Sequence, residues 1–596
     1  VSLKRAEKLS RNLNGIDSFL ATPESKRLHK EIVNLISKYA NNKCTKNRIK
    51  AVMPVNDISK RQKIISDAML CDYKIENLAN PVEPDEYYER VIVSKKPLDI
   101  LNRYCRILIP SEQETWKDYK VFKSVTWIGE DGPEKTPDNW IVLPEKSPTE
   151  SALPELIISW FEANLSSLEL ISNLPKGKGF LKYFDEIRIE GLELLLKELS
   201  NNNEIDEIIK IKDQLWPLAK SLESKIHSEV DEAMKNVKLD ISGSDMLEAL
   251  ADAAVLQRRL SQQTSDSIEQ AIETATDELS EFLSTVGIRC PRNIFKAEWP
   301  TKVDRTVLDS IDKELELLQK NTENTRTISL ARRLSPIKQK CEKSIRKLVE
   351  LDQWLTIGRW ANDSNAIIPE ICKDGFSIIE GRNLLLGDSA VPVSYGLGNC
   401  ASEGDKQSIA LLTGANSGGK TTLLELIGQF TILAHMGLPV PAKKAKIGEI
   451  QALHVLAKAR GTQSAGALEQ TLLQLAEIVS DESSKLILAD ELEAITEPGA
   501  GARIISAMLE TAEKHQNTTM LLVTHLAPAI IEAAGYELRT DGIEARGLDE
   551  NLELIVDRNP RRNYLARSTP ELIVRRLVQR SNGSAKDVFN SILERF

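Results

Sequence analysis

Gly414-Ala-Asn-Ser-Gly-Gly-Lys-Thr421 follows the apolar run Ser408-Ile-Ala-Leu-Leu-Thr413 and precedes Thr422-Leu-Leu-Glu-Leu-Ile-Gly-Gln-Phe430, whose pattern reads as a helix. A glycine-rich turn between a strand and a helix lets successive backbone N–H groups converge at a helix N-terminus, where phosphate oxygens bind. Residues Gly414, Ala415, Asn416, Ser417, Gly418 and Gly419 form that turn, with Thr422 just inside the helix. Lys420 supplies a point charge for the β- and γ-phosphates, and the Thr421 hydroxyl is placed to ligate Mg²⁺. The strand before the loop and the helix after it are independent requirements, so the motif in this setting predicts a phosphate-binding loop for ATP and Mg.

Two further segments extend the reading. Lys485-Leu-Ile-Leu-Ala-Asp490-Glu491 is a short apolar run ending in two carboxylates, the pattern of a buried parallel strand whose C-terminal end faces a ligand. Asp490 is assigned to the Mg²⁺ shell and Glu491 to polarising the attacking water. Met520-Leu-Leu-Val-Thr-His525 is a second such strand, ending in a histidine. After a phosphate loop and an Asp-Glu strand, His525 resembles the γ-phosphate-sensing histidine of ABC-type ATPases.

The resemblance then becomes narrower. Thr413-Gly-Ala-Asn-Ser-Gly-Gly-Lys-Thr-Thr422, with Asn416 inside it, resembles the loop of the MutS family of DNA repair ATPases. Ala434-His-Met-Gly-Leu-Pro-Val-Pro-Ala-Lys-Lys-Ala-Lys-Ile-Gly448 is similar to that family's helix end and V-P-A turn. Upstream, Ile368-Pro-Glu370 and Glu380-Gly-Arg-Asn383 resemble its entry into the ATPase domain, with Asn383 where the family usually has histidine. The match runs from about residue 368 to 530, and more loosely from Arg48 onwards.

In this ATPase class a signature loop acts in trans on the partner's nucleotide, so the resemblance implies a homodimer. Gly461-Thr-Gln-Ser464-Ala-Gly466 opens a helix with small residues. Ser464 is the candidate trans-acting hydroxyl, and Gly466 would allow close approach. An ordinary serine N-cap is the alternative reading. One departure stands out. After Asp490-Glu491 the family usually carries a G-R-G-T-S run, and here the sequence is Leu492-Glu-Ala-Ile-Thr496-Glu-Pro-Gly499. Communication between paired sites is therefore expected to differ, while Lys420, Thr421, Asp490 and Glu491 keep hydrolysis intact.

A chain of 596 residues with 41% hydrophobic and 28% charged content has room for three or four domains. No apolar run approaches a membrane span and no signal peptide is visible, so the expectation is a cytoplasmic protein without membrane partners. The seven cysteines are scattered with no C-x-x-C pair and read as reduced, individually placed residues. Net charge is −10, but residues 1 to 63 hold fifteen Lys or Arg against five acids. A second basic stretch runs through Arg558, Arg561-Arg562, Arg567, Arg575-Arg576 and Arg580. Such asymmetry is the footprint of phosphate-backbone contacts with DNA, with a solvated helix face as the bland alternative.

The fold expected is mixed: a helical core and lever region followed by an α/β ABC-type P-loop ATPase domain. Its expected parts are a basic helical segment at 1–50, resembling a partial helix-hairpin-helix; a mixed core segment at 51–150; long lever and clamp helices at 151–367; the ATPase at 368–550; and a basic helical tail at 551–596. Short strands are expected around Val91–Val93 and Trp140–Leu143, and a helix from Ile328 to Trp360. The family's mismatch-wedge domain and the nuclease-like domain of its second bacterial branch find no room, which points to the archaeal MutS-related branch. Phe184-Asp-Glu186 fits the wedge tripeptide but sits in the helical middle, where it is a coincidence. The resemblance thus implies an ATPase that binds branched or distorted duplex DNA in repair or recombination. An ABC-type ATPase of chromosome structure or ribosomes, or a mismatch-binding protein, are the alternatives.

Overall fold

The computed structural model describes residues 17–76, 78–79, 93–94, 106–107, 115–120, 125–128, 132–137, 140–144, 154–177, 179–236, 253–401, 407–414, 419–456, 465–492, 498–515, 517–549, 554–566 and 570–595. They fall into two compact units. The first comprises residues 1–80, 173–188 and 344–596, and the second 81–172 and 189–343.

The chain enters the first unit through helices α1 (Pro23–Ser37), α2 (Lys43–Lys50) and α3 (Ile58–Met69). Thr22 starts α1 with a reciprocal capping box: its hydroxyl accepts from the Ser25 N–H while Ser25 Oγ accepts from the Thr22 N–H. The apolar stripe Leu28, Ile32, Val33 and Ile36 recurs at helical spacing and is buried. Asn42 and Asp57 cap the next two helices through their side chains.

In the second unit, α4 (Asn203–Asn236) and α5 (Ala253–Ser284) pack along one another over Leu215, Leu222, Ile226, Val230, Leu279 and Leu283. The early turns of α6 (Arg305–Asp363) add Leu308 and Leu315 to that core. The sequence pattern places the start of this helix at Ile328, and the structure begins it at Arg305. Leu308, Ile311 and Leu315 recur at helical spacing in those first turns, so the pattern extends further towards the N-terminus than that reading took it. Val125–Ile128 and Trp140–Leu143 pair in parallel around the buried Trp127. Of the other expected strand only Val93–Ser94 lies within the described residues.

Back in the first unit, a small sheet has the order β1 (Glu370–Cys372), β5 (Lys444–Gly448), β2 (Phe376–Gly381), β3 (Val393–Leu397). The main sheet is five-stranded and fully parallel. Its order is β6 (Ala452–Leu456), β7 (Lys485–Asp490), β8 (Thr518–Val523), β4 (Ile409–Gly414), β9 (Thr540–Ile543). Strands β4, β7 and β8 are buried along their whole length, as their apolar runs require, and β9 is buried too, with Asp541 satisfied by Tyr395, Arg539 and the Asn563 N–H. Helices α7 (Lys420–His435), α8 (Ala465–Ser480), α9 (Pro498–Lys514) and α10 (Ala527–Ala534) connect the strands. The chain ends in a ribbon of β10 (Ala545–Leu548) and β11 (Leu554–Val556) and a helical hairpin, α11 (Pro570–Arg580) and α12 (Ser584–Leu593).

Three findings correct the sequence reading. Residues 17–50, expected as a basic helical segment, pack into the core of the first unit. Leu20 bridges Leu453, Ala21 N–H donates to the Leu453 carbonyl, and Val455 N–H donates to Thr22 Oγ1, so this stretch lines the edge of β6. Phe19, Leu28 and Ile32 share one apolar cluster with Leu423, Leu424 and Ile427 of α7. Basic side chains on the outer faces of α1 and α2 hide this burial from a charge count. The helix-hairpin-helix resemblance falls largely on residues 1–16, outside the described residues. Second, Cys372 and Cys400 are paired as a disulfide, with Cα atoms 6.2 Å apart. They are 28 residues apart in sequence, and Asp374, after β1, joins the turn after β3: its carboxylate holds Asn399 while its carbonyl accepts from Cys400 N–H. Third, residues 173–188, expected within the long-helix region, belong with the first unit. Phe184 there is buried edge-on to Phe180, and Tyr183 donates to Asp67, so the Phe-Asp-Glu tripeptide serves packing.

Phe19 gives a direct test of the corrected boundary. Its side chain is 0% exposed, with its ring 4.5 Å from that of His435. Phe19→Ala is expected to lower unfolding stability by about 3–5 kcal/mol, read from the denaturation midpoint. A change within about 0.5 kcal/mol, the range of a surface substitution, would refute the packing.

His435 makes the same junction pH-sensitive. Its Nδ1–H donates to the Thr431 carbonyl and its Nε2 accepts from Ile450 N–H, so the neutral ring is fully satisfied. Burial lowers its pKa to about 4, only partly offset by the Thr431 carbonyl. The unfolded histidine takes up a proton near 6.5, while the folded one resists until about 4. This contribution is therefore fully present above pH 6.5 and lost as pH falls through that window, by roughly 3 kcal/mol in all. Urea unfolding at about pH 7.5 and about pH 4.5 is expected to show the gap between wild type and His435→Gln narrowing in acid. A gap independent of pH would contradict it.

Candidate nucleotide site

Strand β4 delivers the chain to the site through Gly414, whose φ is 129°. A Cβ there would lie 2.1 Å from the Ile543 carbonyl oxygen on β9, so only glycine fits. Gly419, with φ 86°, opens α7. Ala415, Asn416, Ser417 and Gly418 lie outside the described residues, and Thr422 occupies the first turn of the helix.

Lys420 is 4% exposed, and its Nζ donates to the Gly414 carbonyl at 2.6 Å. A cation this deep is stable only where hydrogen-bond acceptors replace its lost hydration, and the Gly414 carbonyl is one of them. Beside it, Thr421 Oγ1 donates to Asp490 Oδ2 at 2.7 Å. Asp490 closes β7, two strands away from β4 with β8 between them. Its other oxygen, Oδ1, is buried with no hydrogen-bond partner among the described residues.

An orphaned carboxylate oxygen next to a hydroxyl–carboxylate pair fits a hydrated Mg²⁺, which takes one or two protein oxygens and completes its octahedron with water and phosphate. Among the described residues no cluster of three or more His, Cys, Asp or Glu could hold a metal by itself.

Glu491 follows directly. Its N–H donates to the Val523 carbonyl of β8 and its φ is 44°, a left-handed conformation that costs a non-glycine residue about 1 kcal/mol or more. That turn lifts its carboxylate out of the strand direction. His525, just beyond β8, donates from Nε2 to Glu491 Oε1 at 2.9 Å. The two assigned groups thus meet, although 34 residues separate them in sequence.

Ser464 is outside the described residues, and Gly466 lies in the first turn of α8 after edge strand β6.

In the sequence Asn383 stands out only as a departure from histidine, yet it organises the flank of the site. Its Nδ2 donates to the Thr422 carbonyl, and its Oδ1 accepts from Leu385 N–H and Gln429 Nε2. Gln429 Oε1 in turn accepts from Leu384 N–H. This buried amide pair fastens the 3₁₀ turn Leu384–Ser389 to the first turns of α7. Leu386, Val391 and Val393 then face Gly419, Thr422 and Arg558 across a small cleft. No sequence signal marks Arg558 as part of it, since it arrives from beyond β11.

Comparison with known proteins agrees with this layout. Residues 410–546 match the model of MutS domain V. The DNA-binding protein MutS2 of Pyrococcus furiosus is 36% identical over 451 residues, covering 74% of this chain and 76% of that protein. The chain belongs to the MutS family. Within it the similarity is to MutS2 proteins. The endonuclease MutS2 of Clostridium beijerinckii is 30% identical over 229 residues, 36% of this chain and 27% of that protein. That of Clostridium botulinum is 25% identical over 406 residues, 61% of this chain and 49% of that protein. This MutS-family chain therefore spans three quarters of the archaeal relative and at most half of these clostridial ones. Among its described residues no helix is long and apolar enough to cross a membrane.

Proposed function

We propose that this chain is a Mg²⁺-dependent ATPase that works as a homodimer and binds branched or distorted duplex DNA in repair or recombination. The observation that carries the reading is the Thr421–Asp490 pair with its orphaned Oδ1, set beside Glu491 and His525. Lys420 binds the β- and γ-phosphates, and Thr421 and Asp490 hold Mg²⁺. The bound ion neutralises charge developing on the phosphate oxygens. Glu491 orients the attacking water and accepts its proton. His525 holds Glu491 in place and contacts the γ-phosphate, so loss of that group is felt at the end of β8.

A second copy has two roles in this reading. Ser464 and Gly466 reach the partner's nucleotide across the interface. The hairpin of α11 and α12 contributes Ile573, Leu577, Val588 and Ile592, large apolar side chains exposed on amphipathic helices, as a surface for that partner. ATP between the two ATPase domains would draw them together, and hydrolysis would release them.

DNA binding comes to this chain from the name of its archaeal relative and from its uneven charge. The test is a gel-shift series on the full chain with four-way junction, single-mismatch and plain duplex DNA, with and without ATP. The junction is expected to bind most tightly, with a mismatch gaining little over plain duplex. Equal binding to all three probes would refute the preference for branched DNA.

A further inference from the structure

Charge along α6 inverts in one place. Residues 305–325 carry three basic and five acidic side chains, and residues 348–363 one basic and three acidic. Between them, residues 326–347 hold eight Lys or Arg against a single acid, Glu342. The neighbouring long helices α4 and α5 are acidic, as is the chain as a whole.

Half of the eight are occupied locally. Arg326 donates to the Glu198 and Leu199 carbonyls, Arg333 pairs with Glu198, Lys338 lies over the Trp160 ring, and Lys347 pairs with Glu186 and Glu350. Arg332, Lys340, Lys343 and Arg346 are exposed, and none has a carboxylate partner among the described residues. At 100° per residue these four fall within about 120° of arc, and at 1.5 Å per residue they extend over roughly 21 Å. The opposite face is Leu334, Cys341, Ile345 and Leu348, all buried. The helix is thus anchored by one side and presents a predominantly basic rail on the other, with Glu342 at its edge.

We propose that this rail, Arg332, Lys340, Lys343 and Arg346, grips the phosphate backbone of duplex DNA. The inference rests on the DNA-binding reading above and names its surface. A rail this long exceeds a single phosphate compound and matches a linear polyanion, which carries one charge per roughly 1.7 Å of duplex axis. A solvated helix face intersperses acids repeatedly at i,i+4 spacing, as α4 does with Asp206–Lys210 and Glu193–Lys197 does one helix earlier, whereas here Glu342, four residues before Arg346, is the single acid among eight cations. Contacts of this kind carry no base specificity, so the rail serves any duplex arm of a branched substrate.

The experiment measures affinity of the full chain for a fluorescent duplex and a four-way junction from about 50 to about 300 mM salt. Wild type is compared with the quadruple variant Arg332→Gln, Lys340→Gln, Lys343→Gln, Arg346→Gln. Glutamine keeps helix propensity, and matching thermal unfolding curves establish that the variant is folded. Each lost contact is expected to weaken binding by about eightfold at 0.1 M salt and to flatten the log–log salt slope by roughly 0.9, so up to about 3.6 for four. A parallel variant, Lys313→Gln with Lys320→Gln in the acidic stretch of the same helix, is expected to leave the slope near that of wild type. Unchanged affinity and slope in the quadruple variant, with wild type binding normally, would overturn the rail and leave DNA binding standing. Loss confined to duplex RNA used as a competitor probe would also overturn it. No binding of either DNA by wild type would overturn the DNA reading and the rail with it.

Discussion

Glu491→Gln is expected to bind ATP nearly as tightly as wild type while turning it over about 10²–10⁴-fold more slowly. The amide keeps the size and the hydrogen bond to His525, but it cannot take a proton from water. Because Lys420, Thr421 and Asp490 are untouched, the phosphates and Mg²⁺ remain held, and the closed ATP-bound dimer should accumulate. Steady-state turnover, nucleotide affinity and sizing in the presence of ATP check each part. Near-wild-type turnover would remove Glu491 from the catalytic role. The left-handed backbone at Glu491 adds a second handle, since Glu491→Gly would relax the strain and yet lose the carboxylate, separating geometry from chemistry.

Lys420→Ala is expected to act one step earlier, on binding itself. Its ammonium is buried and held by the Gly414 carbonyl, so the cost of dehydrating it is already met in the free protein. A charge-assisted hydrogen bond to phosphate is worth about 1.5–3 kcal/mol, and its loss should weaken ATP by roughly 10–150-fold. ADP, which lacks the γ-phosphate, should lose less. Equal weakening of ATP and ADP would place the ammonium on the β-phosphate alone, and unchanged affinity for both would remove Lys420 from the site.

The contrast between these variants follows from how plainly the residue types declare their roles. Gly414, Lys420, Thr421, Asp490, Glu491 and His525 each sit at or just past the end of an apolar run, and each end is marked by residue types that suit phosphate chemistry. Their meeting follows from the parallel sheet, in which the C-terminal ends of β4, β7 and β8 share one edge. Asn383 and Arg558 are not legible in this way. An amide that ties a 3₁₀ turn to α7 looks like any other asparagine, and an arginine reaches the cleft only after the chain has turned through β10 and β11.

Local pattern thus determines the ATPase strands, the loop, the neighbouring carboxylate pair and the existence of long helices, because each depends on contiguous residues with a fixed period. Tertiary structure alone decides three things. Residues 17–50 become core because the buried stripe of α1 finds its match on α7, about 400 residues later, and a charge count sees only the outer faces. Cys372 and Cys400 become a pair because Asp374 folds two distant turns together. The basic rail on α6 becomes a surface because packing commits Arg326, Arg333, Lys338 and Lys347 to neighbours and leaves four cations facing water. A linear sequence records which charges exist. Only burial and partnership decide which of them remain free to act.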